Sequence, residues 1–110
     1  MKNRILNFNK TAHFLYRQWD RGISDETLSE VLRLCPKNKS NIMVIVPRKV
    51  LQGLGLKKNE ELFIKLDKNV LITCFYCSFQ NYFSHCKRDQ DYHLLSATCD
   101  NRKNPMNNAF

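Results

Sequence analysis

Apolar residues between Thr11 and Cys35 recur at intervals of three and four, the spacing that lines up one side of a helix. Ala12, Leu15, Tyr16, Trp19 and Ile23 make the apolar side of a first helix, which Thr11 caps. Leu28, Val31, Leu32 and Cys35 make that of a second, capped by Ser24 or Asp25 and broken by Pro36. Gly22 supplies the left-handed residue that ends the first helix, so residues 11–35 read as a helical hairpin.

Beyond the polar run 37–41 the pattern changes from helix to strand. Ile42 to Val46 is an unbroken, β-branched apolar run with the length of a buried strand. Pro47 ends it and opens a short helix over 47–53, with Val50, Leu51 and Leu54 inward. From Glu61 to Asp67, Leu62, Ile64 and Leu66 alternate with Glu61, Phe63 and Lys65. Val70 to Tyr76 is apolar on both faces except at Thr73, which predicts a central strand joined to its predecessor by a hairpin across Asp67-Lys68-Asn69. Residues 78–86 have no period and predict a loop packed by its aromatics, followed by an edge strand at Tyr92–Thr98. Residues 1–10 read as a flexible basic lead-in and 100–110 as a frayed tail. The expected class is a single α+β domain, an N-terminal helical hairpin packed on a three- to four-stranded antiparallel sheet.

Composition adds a charge argument. Eighteen Lys and Arg against ten Asp and Glu give +8 and a pI near 9.4, a balance that favours a polyanionic partner. No apolar run approaches the roughly eighteen residues needed to span a bilayer, which excludes a membrane role. Five cysteines, an odd number, and a polar start without a charged-then-apolar leader place the expected location in a reducing cytoplasm.

The side of the first helix opposite its apolar face brings together His13, Arg17, Asp20 and Arg21. An imidazole can give or take a proton near neutrality, and two guanidinium groups can hold phosphate oxygens in forked geometry. Metal-free RNA cleavage needs those parts. Lys49, Thr73 and Tyr76 complete the candidate set if the sheet packs beneath this helix. The plain alternative is a solvated helix face in which Asp20 pairs with an arginine.

The run His13-x-x-x-Arg17-x-x-x-Arg21-Gly22-Ile23-Ser24, followed by an acidic amphipathic helix and later by Leu71-Ile72-Thr73-Cys74-Phe75-Tyr76, resembles a family of small prokaryotic and phage proteins of unassigned function. That family is similar to the RelE and barnase-like ribonuclease toxins. The resemblance implies their helix-on-antiparallel-sheet fold, an RNA partner, metal-independent endoribonuclease activity without a cofactor, and a small acidic antitoxin or immunity protein.

A second resemblance leads elsewhere. Residues 46–72 are similar to the swapped-hairpin DNA-binding domains of the AbrB and MazE type, through Pro47, Leu54, Gly55, Leu56, Lys58, Glu60, Leu62 and Ile64, with Asn59 where glycine is usual. It implies an interlocked dimer whose Arg48, Lys49 and Lys57 meet DNA phosphates. The expectation carried forward is an RNA-binding monomer; the DNA-binding dimer is its competitor, and a module that meets an acidic protein a third option.

Cys74-x-x-Cys77 with His85-Cys86 and the distant Cys99 partly fits zinc-ligand spacing. Residues three apart on a strand point to opposite faces, however, so buried apolar thiols are the expectation and no metal is assigned.

Overall fold

Strand pairing is densest where the sequence is most apolar. The computed structural model describes residues 3–36, 38–56, 59–85 and 91–95. Within them β3 (Ile42–Val46) is buried along its whole length and pairs antiparallel with β4 (Glu61–Asp67), Ile42 opposite Leu66 and Val46 opposite Leu62. A two-residue turn, Lys68-Asn69, leads into β5 (Val70–Cys77), antiparallel to β4. Both are as the alternation requires.

Two short strands precede the helices. β1 (Arg4–Ile5) and β2 (Phe8–Lys10) form a hairpin, and β2 adds to β5 in parallel, Asn9 opposite Val70. The expected flexible lead-in is therefore part of the sheet, because Ile5 and Phe8 both reach the core. On the far side β6 (Asp91–Leu94) lies parallel to β3, and the Leu95 N–H donates to the Ile45 carbonyl at 2.9 Å. The order is β1-β2-β5-β4-β3-β6, a mixed six-stranded sheet rather than three or four antiparallel strands. The expected edge strand is an edge, shifted to 91–94 and parallel; Thr98 and the tail 100–110 lie outside the described residues.

Each face of the sheet has its own cover. Ile42, Val44, Val46, Leu62, Ile64, Leu66, Leu71 and Cys74 point to the face packed by α1 (Ala12–Asp20), α2 (Asp25–Arg33) and α3 (Arg48–Gly53). Met43, Ile45 and Phe63 point to the other, beneath α4 (Phe79–His85). There Phe63 stacks on Phe75 at 5.3 Å and meets Tyr82 at 4.5 Å, in the offset arrangements aromatic rings prefer. The expected aromatic loop is thus a helix, started by Ser78, whose Oγ accepts the Asn81 N–H. Glu61, 5% exposed, ties the two faces together: it pairs with Arg48 at 3.2 Å and accepts the Phe79 N–H at 3.1 Å.

Helix ends follow their sequence signals. Thr11 and Ser24 cap α1 and α2 through their side-chain oxygens. At Gly22, φ is 66°, and Ile23 and Gly22 donate to the carbonyls of Gln18 and Trp19; Gly55, φ 87°, ends α3 with the same pair of bonds from Leu56 and Gly55. This is the Schellman arrangement, which satisfies carbonyls the helix cannot. Among the described residues no helix is long and apolar enough to cross a membrane.

Candidate nucleic-acid interface

The roll of α1 about its axis is set by three anchors. β5 carries a bulge: Lys65 pairs with Thr73 and Leu66 with Leu71, so Ile72 has no partner on β4. Thr11 uses that irregularity, donating its hydroxyl to the Ile72 carbonyl at 2.9 Å and its N–H to the Leu71 carbonyl at 3.1 Å. One turn on, Phe14 is fully buried. A further turn on, Gln18 is 2% exposed and donates to the Ile23 carbonyl at 3.0 Å and to Asp25 at 2.7 Å. Asp25 in turn binds Lys10 at 2.9 Å, whose side chain is wholly buried.

Phe14 and Gln18 inward means that the expected apolar face points outward. Tyr16 is 55% exposed and Trp19 68%, Ala12 is exposed and Leu15 half-buried, correcting the assignment of these four to the core; Ile23 does reach it. The pattern misled because Gln18, a polar residue, occupies a core position that backbone and carboxylate partners make tolerable. What results is an aromatic pair on open helix surface, rings 6.3 Å apart.

Charge flanks this pair. His13 and Arg21 are exposed, and Arg21 pairs with Asp20 at 3.3 Å. Arg17 is half-buried and leans toward β5, its Nε sealed from solvent with no partner among the described residues. Its field reaches Cys74: burial pushes that thiol up to about 12, and Arg17, Arg21 and Lys10 pull it down only in part. Tyr76, two residues on and on the same sheet face, is half-buried, and burial, then Cys74, raises its phenol above the ordinary range. Arg17 thus stands at the margin between helix and sheet, while His13 and Arg21 are exposed.

Of the remaining candidates, Tyr76 shares the α1 side of the sheet but Thr73 does not. Thr73 stands opposite Lys65, one step beyond the Ile64–Cys74 pair and two beyond Phe63–Phe75, and so faces the α4 side. It cannot join His13. Lys49 is exposed on α3, which packs over β4, while α1 packs over β5 and β2. Arg48 is engaged by Glu61, and Lys57 lies outside the described residues. Cys74 and Cys77 pack on opposite faces and cannot share an ion; Cys86, Cys99 and the side chain of His85 lie outside the described residues. Sequence reasoning missed Tyr16 and Trp19 as surface residues, and the signal that could have found them is the Phe14, Gln18 pair four residues apart next to the Thr11 cap.

The chain matches no known protein-family model, no curated protein and no solved structure.

Proposed function

We propose that this protein binds single-stranded RNA across α1, with bases stacking on Tyr16 and Trp19 while Arg17, Arg21 and His13 meet the phosphates. The observation that carries the reading is the exposure of the chain's one tryptophan beside a tyrosine, on a helix flanked by cations, in a protein of charge +8. Stacking platforms bordered by basic side chains are how proteins hold unpaired nucleotides, each stacked base contributing about 1–3 kcal/mol.

The proposal is one of binding. Strand cleavage needs a second proton-transfer group beside His13. Thr73 faces the α4 side, away from His13. The dimeric DNA-binding alternative draws no support from the pairing, because both edges of the β4–β5 hairpin are filled by this chain's own β3 and β2.

The test is fluorescence anisotropy of labelled single-stranded RNA and DNA oligonucleotides in EDTA, with the same samples run on a gel for cleavage. Salt-sensitive binding of RNA, weakened about tenfold or more by Trp19→Ala and by Arg17→Gln with Arg21→Gln, is expected. Binding indifferent to these changes, or absent at low salt, removes the reading. Tighter binding to DNA moves the partner class.

A further inference from the structure

A second place in the molecule is built to receive something smaller. Because β2 and β5 start side by side, the turn Leu6-Asn7 lies next to the turn Lys68-Asn69, and the Asn9 N–H donates to the Asn69 carbonyl at 2.7 Å. The end of α2 and Asn38 close a third side. Between them is an open cleft of about 620 Å³, within the range of small-molecule sites.

Its lining divides by chemistry. Phe8, 5% exposed, and the wholly buried Leu32 underlie the cleft, and Leu6, 45% exposed, gives it an apolar rim. Asn7, Asn38 and Asn69 present carboxamides, which donate and accept. Arg33 and Lys68 are the charged members; no acidic side chain lines the cleft among the described residues. The nearest competitor for Arg33 is Glu30 at 3.5 Å, an exposed pair of the weak kind. The Val31 and Leu32 carbonyls at the α2 terminus are already taken by the N–H groups of Leu34 and Cys35, which blunts their repulsion of an anion.

The backbone around the cleft is unusual in the same place. Leu6, Asn38 and Lys68 hold φ of 54°, 61° and 58°, the left-handed region that side chains other than glycine adopt at a cost. In the two hairpin turns it is the residue before the asparagine that bears it. Glycine would relieve the strain but remove the rim and one of the two cations.

We infer that this cleft binds a nucleoside 5′-monophosphate. The flat base lies against Leu6 and the accessible part of Phe8, its edge meets the carboxamides, and Arg33 and Lys68 hold the phosphate. Neither an apolar molecule nor a bare anion uses all three parts of the lining; a nucleotide does. The site shares no residue with the α1 face, so it stands or falls apart from the RNA reading.

Calorimetry on the full chain, titrating adenosine and uridine 5′-monophosphates, their nucleosides and inorganic phosphate, tests it. Saturable binding of a nucleotide is expected, with nucleoside and phosphate each about tenfold weaker or more. Arg33→Gln with Lys68→Asn should lower nucleotide affinity about tenfold or more, asparagine at 68 keeping the left-handed backbone accessible. Leu6→Gly, at the apolar rim, should lower it independently, and Trp19→Ala should leave it unchanged. No heat at millimolar nucleotide, phosphate binding as tightly as nucleotide, or affinity unmoved by the charge and rim variants each overturns the inference.

Discussion

A buried thiol is informative because its protonation is coupled to folding. Burial pushes Cys35 and Cys74 up to about 12 from 9.0, so both stay protonated and unreactive across the physiological range. Since the native state holds these protons when the unfolded chain has begun to lose them, their contribution is complete below pH 9 and is lost as pH rises toward 12. The slope is up to about 1.4 kcal/mol per pH unit for each thiol. Chemical denaturation at pH 8 and 10 should show a larger loss of stability for the natural chain than for Cys35→Ala with Cys74→Ala. Alkylation mapped by mass spectrometry should leave both residues unmodified until the protein unfolds. The Lys10–Asp25 pair gives a second residue-scale prediction. Asp25→Ala strands a buried ammonium and should cost about 3–5 kcal/mol, whereas Lys10→Met removes the charge while Asp25 keeps Gln18 and water, and should cost about half that or less in urea unfolding.

At the scale of the element, α1 shows how a correct helix can be given the wrong face. Its start and end were legible: Thr11 caps it and Gly22 closes it, both through local chemistry. Its roll was not, because what turns it is a carbonyl freed by a bulge in β5 sixty-one residues away. Phe14→Ala should therefore cost about 3–5 kcal/mol, as for other buried phenylalanines, while Trp19→Ala and Tyr16→Ala should stay within about 0.5 kcal/mol, as for surface positions. If Trp19→Ala proved the more damaging of the set in thermal unfolding, the observed roll would be wrong. The hairpin of β4 and β5 needed no such help, since alternation and a two-residue turn specify it within one stretch of chain.

For the whole molecule, charge and architecture act together. The excess of +8 favours polyanions from any direction, and on α1 cations flank exposed rings. RNA affinity should fall linearly on a log–log salt plot, and each arginine removed from α1 should flatten the slope by about 0.7. Asp20→Asn, which frees Arg21 and deletes a negative charge, should tighten binding by about two- to fivefold in the same anisotropy titration. Unchanged slopes in the arginine variants would place the phosphates elsewhere on the surface.

The sequence by itself determined what depends on neighbours along the chain: the two helices of the hairpin with their caps, the buried β3, the β4–β5 turn and the surplus of positive charge. Only the tertiary structure decided what depends on partners far away. β1 and β2 became strands because Ile5 and Phe8 found the core beside β5, Ser78 began a helix over an aromatic sheet face, and Thr73 was turned from His13 by the pleat. The cleft beside Phe8 exists because the turns Leu6-Asn7 and Lys68-Asn69 were laid side by side. A period along a chain fixes which side chains share a face, but which face meets the core is set by whatever that face can be packed against.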